Sequence, residues 1–289
     1  MEKIKVMTVF GTRPEAIKMA PLVKELEKHP DSIESIVCVT AQHRQMLDQV
    51  LEIFGITPNY DLDIMKNRQT LVGITTRVLE GLDKVIKQAK PDIILVHGDT
   101  STSFVGALAG FYNRVPVGHV EAGLRTYDIY SPYPEEMNRQ LTGRIACMHF
   151  APTMRNRQNL LKENVDDENI FITGNTVIDA LKTTVREDYK FADETLNEID
   201  FDNRRVIIVT AHRRENLGEP LENICNAIKT VMEKYEDTEV VYPVHLNPAV
   251  RETVFAILGG MERVHLIDPI DVCELHNAMA RSFMVMTDS

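Results

Sequence analysis

The sequence predicts an α/β protein built from two Rossmann-like, doubly wound domains, the second of them truncated. Three observations carry that reading. Short apolar runs alternate with longer stretches of helical spacing. The runs are continuous rather than alternating, as in parallel strands covered on both faces. The rhythm breaks once, in a polar segment around 185–205, and then restarts.

In the first half, "KVMTVFG", "SIESIVCVTA", "DIILVHGD" and "VPVGHVEAG" read as buried strands. Helical patterns follow them over 16–27, 44–54, 71–88 and 103–112. A further helix starts at Pro134 in "PEEMNRQ". "CMHFAPT" and "NIFITGN" then flank a helix over 154–162, completing a β-α-β rhythm. After the polar segment come "VIIVTAHR", a helix over 221–235, "EVVYPVH", a helix over 248–257, "RVHLIDP", a helix over 272–280 and "SFMVMTDS". The expected organisation is a first domain over 1–170, a joining segment over 171–202 and a second domain over 203–289. That second stretch falls short of a typical domain of ~100–150 residues and stops directly after an apolar strand.

Composition excludes more than it identifies. With 44% hydrophobic and 26% charged residues the chain is an ordinary globular protein. A net charge of -11 argues against nucleic-acid binding, which needs clustered Lys and Arg. No apolar run approaches the ~20 residues of a membrane span. The N-terminus reads as a strand entering a turn, not as a secretory signal, so a cytoplasmic location is expected. Cys38, Cys147, Cys225 and Cys273 lie far apart with no C-x-x-C pair, as in a reduced protein without a zinc site. No H-E-x-x-H spacing occurs, so neither a metal nor a cofactor is expected.

The polar residues that follow the strands are more informative. In "GTRPEAIK", Gly11 permits a tight turn and Pro14 suits a first helical turn, where its missing N–H costs nothing. Free N–H groups at that helix start favour an anion, and Arg13 and Lys18 add formal charge. The spacing is neither Walker A nor G-x-G-x-x-G. Asp99 in "VHGDTSTS" lies just past a strand's C-terminal end, where open α/β sheets bind ligands, although it could simply cap the next helix. Glu121 in "HVEAG" also leaves a strand, with Arg125 nearby. Glu135 and Glu136 open the helix of "PEEMNRQ", where one acid is explained by the helix dipole. Glu135 and Arg139 share a face at i,i+4. In the second half, His212, Arg213 and Arg214 leave a strand together, which suits a phosphate or proton-transfer role. His245 leaves the next strand. Cations at helix starts fit a phosphorylated ligand, and several carboxylates fit proton transfer or an oxocarbenium-like centre. Together they suggest a nucleotide-sugar enzyme with its strand ends around a common cleft.

"FGTRPEAIKMAPLV", "VHGDTSTS", "HVEAGLRT", "PEEMNRQLTG", "TGNTVIDAL", "TAHRRENLGEP" and "TDS", in this order, resemble the bacterial non-hydrolysing UDP-N-acetylglucosamine 2-epimerases. The resemblance runs from Val6 to Ser289. It implies a glycosyltransferase-B-like fold and reversible conversion of UDP-GlcNAc to UDP-ManNAc, supplying ManNAc units for cell-surface polysaccharides. It implies loss and re-addition of UDP through a 2-acetamidoglucal. By resemblance, Asp99, Glu121, Glu135 and His212 match catalytic positions. Arg13, Lys18, Arg139, Leu275 and Ser289 match positions that contact substrate or UDP. Gln42, Gln45, Arg68, Arg213 and His245 match a regulatory site for a second UDP-GlcNAc, and a homodimer is expected. Two departures stand out: Leu275 replaces a phenylalanine usual near the uracil, and the family's diphosphate-binding segment continues past the position of Ser289. The alternatives are a hydrolysing 2-epimerase, releasing ManNAc and UDP, and an inactive nucleotide-sugar-binding fragment.

Overall fold

A continuous apolar strand has no solvent side and needs cover on both faces. A computed structural model of the protein shows how the central strands obtain it. The structure describes residues 3–41, 44–66 and 69–288, and the side chains of Gln45, Met46 and Arg214 lie outside that description. The chain divides into two units, residues 1–183 and 184–289.

The first unit begins β1 (Ile4–Phe10), α1 (Arg13–Glu27), β2 (Ile33–Val39), α2 (Arg44–Ile53), β3 (Tyr60–Asp61), α3 (Leu71–Ala89) and β4 (Ile93–His97). It continues α4 (Ser101–Tyr112), β5 (Val117–Val120), α5 (Glu135–Ile145), β6 (Met148–Ala151), α6 (Met154–Lys162), β7 (Ile170–Ile172) and α7 (Val177–Thr184). All strand pairs are parallel, in the order β3-β2-β1-β4-β5-β6-β7. On one face Val6 and Phe10 pack with Ala16, Met19 and Val23 of α1. On the other, Met7 and Val9 pack with Val78 and Leu82 of α3 and Val105 of α4. The strand order reverses between β1 and β4, and such switch points are where open sheets leave a ligand crevice.

Close approach of α4 to the sheet depends on two glycines. A Cβ on Gly106 would lie 2.9 Å from Val96 Cγ1, and one on Gly110 would lie 2.7 Å from Val117 Cγ2. The link from β5 to α5 is held by a buried acid. Glu136 accepts from the N–H groups of Thr126 and Tyr127, both at 3.1 Å, from Gln140 Nε2 at 3.0 Å and from Arg139 Nη1 at 3.2 Å. Burial pushes its pKa up, but these bonds outweigh burial and hold it below the ordinary carboxylate value.

The second unit contains α8 (Glu194–Glu198), β8 (Arg205–Thr210), α9 (Glu219–Lys234), β9 (Thr238–Pro243), α10 (Pro248–Leu258), β10 (Val264–Ile267), α11 (Val272–Arg281) and β11 (Met284–Thr287). Its parallel sheet runs β10-β9-β8-β11. The polar segment over 185–205 is not bare connection. Phe191, Leu196 and Ile199 are buried against Val206 and Ile208. Tyr189 meets Phe191 edge-on at 5.4 Å, and Phe201 stacks on Phe191 at 6.0 Å. Buried Glu274 of α11 accepts from the N–H groups of Ala192 and Asp193 at 2.5 and 3.0 Å. These apolar residues follow neither helical nor strand spacing, which hides their packing in the sequence. No helix of the described residues is long and apolar enough to cross a membrane.

Two measurements test this packing. Gly110→Val must push α4 off Val117, so it should lower stability by ~1–3 kcal/mol, read as a lower urea midpoint at unchanged slope. Stability should also fall with acid from near neutrality. Burial holds the β4 and β5 imidazoles His97 and His119 at about 3, so each is neutral when folded. Unfolding exposes them to take up protons below ~6.5. Their contribution is therefore complete above that pH and lost progressively toward 3, at ~1.4 kcal/mol per pH unit for each. A urea midpoint that stays flat from pH 7.5 to 5 would contradict this.

Candidate active site

The turn after β1 is shaped by the neighbouring strand end. A Cβ on Gly11 would lie 1.9 Å from Thr40 Oγ1, so only glycine lets the chain pass. Thr12 precedes α1, and the N–H groups of Gly11 and Thr12 donate to Glu15 Oε2 at 3.0 and 2.8 Å. The other oxygen of this buried acid accepts from Thr100 Oγ1 at 2.7 Å and Ser103 Oγ at 2.9 Å. One side chain thus ties the β1–α1 turn to the β4–α4 loop. Burial raises the pKa of Glu15, with these donors pulling the other way. Arg13 is the first residue of α1 and is partly exposed.

Lys18, one turn further along α1, reaches across β4 to the end of β5. Its Nζ donates to Glu121 Oε1 at 2.5 Å, and Asn175 Nδ2 donates to the same oxygen at 3.0 Å. Glu121 sits at φ 62, in the left-handed region. A non-glycine residue there is uncommon and is concentrated at functional sites. Its side chain is only 9% exposed, so the cation offsets the cost of burying the charge.

Asp99 stands at the strand end between these two. It does not cap α4: Thr100 does, its Oγ1 accepting from Ser103 N–H at 3.1 Å. Asp99 Oδ2 instead accepts from Arg139 Nε at 3.0 Å and Nη2 at 2.6 Å, while Asn138 Nδ2 donates to the Asp99 carbonyl at 2.9 Å. Arg139 therefore pairs with Asp99 and Glu136 rather than with Glu135, its i,i+4 neighbour. Glu135 lies partly exposed in the first turn of α5, and among the described residues its carboxylate has no hydrogen-bond partner. Arg125 leaves the picture, because both its Nε and Nη2 bind Glu163, at 2.7 and 2.8 Å.

The second unit offers its own strand ends. The N–H groups of His212 and Arg213, after β8, both donate to Asp288 Oδ2, at 3.0 and 2.8 Å, and Asn216 Nδ2 adds a third bond at 3.1 Å. Burial pushes the Asp288 pKa up, but these donors hold it below its ordinary value. The exposed rings of His212 and His245 lie parallel with centroids 5.3 Å apart. Leu275 sits in α11, partly buried against the cluster of Phe191 and Leu196. Gln42, Arg68 and Ser289 lie outside the described residues, as does the side chain of Gln45.

Sequence reasoning gave Glu15 and Asp288 no role and Glu136 only a share in the helix-dipole reading of "PEE", yet each organises a loop. Glu15 and Thr12 could have been found as a capping box, T-x-x-E at a helix start. The second acid of "PEE" was a signal for Glu136. Nothing local marks Asp288, whose partners are more than seventy residues away. No group of three or more His, Cys, Asp or Glu that could hold a metal occurs among the described residues.

Comparison with known proteins identifies the family. The family model for UDP-N-acetylglucosamine 2-epimerase matches residues 24–289. The UDP-N-acetylglucosamine 2-epimerase of Bacillus subtilis is 60% identical over 289 residues, covering 100% of this chain and 75% of that protein. The crystal structure of the Neisseria meningitidis UDP-GlcNAc 2-epimerase bound to UDP-GlcNAc superposes with a TM-score of 0.88 at 49% identity, covering 99% of this chain and 78% of that one. The Staphylococcus aureus MnaA–UDP structure gives a TM-score of 0.86 at 52% identity, covering 99% and 74%. The chain thus spans about three quarters of the length of these relatives. Both sheets and their order fit the glycosyltransferase-B-like class of these structures. The chain belongs to the UDP-N-acetylglucosamine 2-epimerase family.

Proposed function

We propose that the protein interconverts UDP-GlcNAc and UDP-ManNAc by epimerising C2, without hydrolysis, in a cytoplasmic homodimer that feeds cell-surface polysaccharide synthesis. The observation that supports this best is the meeting of two acid–cation pairs, Lys18–Glu121 and Arg139–Asp99, on adjacent strand ends at the sheet's switch point. The C2 proton is not next to a carbonyl, so direct removal would be very slow. Elimination of UDP across C1–C2 avoids that problem: the C2–H pair becomes the C1–C2 double bond of a 2-acetamidoglucal, and the C1–O pair leaves with UDP. Re-addition with protonation from the other face gives the epimer.

Each demand of this path has a candidate group. An acid/base for C2 and negative charge near a cationic C1 call for carboxylates, here Asp99, Glu121 and Glu135. The departing diphosphate calls for cations, here Arg13 at a helix start and Lys18, with Arg139 holding its acid. In the second unit we assign His212 to proton transfer or phosphate contact, Leu275 to the uracil and Ser289 to the diphosphate. Gln42, Gln45, Arg68, Arg213 and His245 are our candidates for a second, activating UDP-GlcNAc. The UDP-GlcNAc in the Neisseria enzyme and the UDP in the Staphylococcus protein support a UDP-sugar ligand.

Incubation with UDP-GlcNAc in D2O, followed by NMR, should yield UDP-ManNAc with deuterium at C2. Free ManNAc would mean the hydrolysing reaction, and binding without turnover would mean a nucleotide-sugar-binding fragment. Glu121→Gln should keep UDP binding by calorimetry yet lose turnover by ~10²–10⁴-fold. Near-normal rates in that variant would remove Glu121 from the acid/base set.

A further inference from the structure

Among the buried polar atoms without a hydrogen-bond partner is one that faces Glu121. His97 ends β4 at 3% exposure, and its Nε2 makes no hydrogen bond. That nitrogen faces Glu121 Oε2 at 3.7 Å. An unpartnered buried nitrogen bears its full desolvation penalty, so such atoms are rare and call for an explanation.

The contact is not an ion pair. Burial first, and then the charge of Lys18, hold the imidazole at about 3, so the ring is neutral throughout the working range. Its other nitrogen faces the residue's own backbone carbonyl. A carbonyl only accepts, so the ring proton belongs on Nδ1 and Nε2 presents a lone pair. Nε2 and the Oε2 of a carboxylate are then two acceptors facing each other, which accounts for a separation too long for a hydrogen bond. A proton on Oε2 would complete the pair.

We infer that His97 is a positioning residue for C2 proton transfer, its Nε2 accepting a hydrogen bond from Glu121 Oε2 whenever that carboxyl is protonated. The inference rests on the proposed role of Glu121 as an acid/base group. It divides the carboxyl between its two states. Oε1, with donors from Lys18 and Asn175, is the oxygen that stabilises the anion. Oε2, which faces His97 and lies close to Gly98, is the oxygen that carries the proton. In elimination the C2 proton goes to Oε2; in the reverse direction it returns to carbon, and His97 stays neutral in both. A reversible reaction uses the same group as base one way and acid the other, so both states need support. The other titratable groups packed around the pair are Lys18 of α1 and His119 of β5. His119 is itself neutral and donates through Nε2 to the Gly98 carbonyl at 2.7 Å. Asp99, in the next loop, is engaged by Arg139.

The test compares His97→Phe, His97→Gln, Glu121→Gln and the unaltered protein. Their melting temperature, UDP binding, kcat, KM and C2 deuterium incorporation are measured in both reaction directions across pH 5.5–9.5. His97→Phe should bind UDP normally and change KM less than twofold, while kcat falls roughly 10–100-fold. The loss should appear in kcat and not in UDP affinity, because the protonated carboxyl has lost its acceptor while the groups that bind UDP are untouched. His97→Gln, whose amide oxygen accepts a hydrogen bond, should recover most of the rate. An unchanged kcat in His97→Phe, beside an inactive Glu121→Gln, overturns the inference alone. A fully active Glu121→Gln overturns the role of Glu121 beneath it. Should His97→Phe fail to fold, ¹⁵N NMR of the unaltered protein still decides: an Nδ1–H tautomer at His97 supports the inference, and an Nε2–H tautomer sinks it.

Discussion

The contact between Lys18 and Glu121 is the interaction on which the rest of the first unit's site depends. A carboxylate with so little exposure is costly unless a cation and hydrogen bonds accompany it. The cation here comes from a helix that begins two strands away, so its arrival depends on several independent choices in the sequence. Gly11 must let the chain pass Thr40, α1 must start at Arg13, and Ala16, Met19 and Ala20 must seat that helix on the sheet. Glu121 must also accept a left-handed backbone. Any one failing would leave a buried charge without its partner. Packing, turn geometry and electrostatics are therefore a single problem in this unit.

Much of this was legible in the sequence. Continuous apolar strands announced a parallel sheet, and polar residues just past them fell where such sheets bind ligands, at the C-terminal ends next to the reversal of strand order. Asp99, Glu121 and the "GTRPEAIK" turn are positioned by that rule alone. The motif order then pointed to a family, and the comparisons bear the family out.

What stayed hidden shares a physical cause. Periodicity reports which face of an element is buried, and says nothing about which distant partner meets a polar side chain. Glu135 and Arg139 looked like natural partners on one helix face, yet Arg139 turns toward an acid forty residues away in sequence. Asp288 holds a turn on the neighbouring strand, far away in sequence, and the aromatic cluster of Phe191 lies in a stretch that reads as polar. In each case long-range geometry outweighs the local pattern.

Glu15 carries a consequence beyond its hydrogen bonds. Because one carboxylate grips both the β1–α1 turn and the loop bearing Asp99, neither loop can be reshaped by a ligand without the other. The conformational entropy of ordering this wall is spent when the protein folds, not when a substrate arrives. Oriented charges that are already fixed need no reorganisation as charge develops between them. The first unit is therefore suited to be an unyielding recognition surface, a mould to which a flexible ligand has to conform.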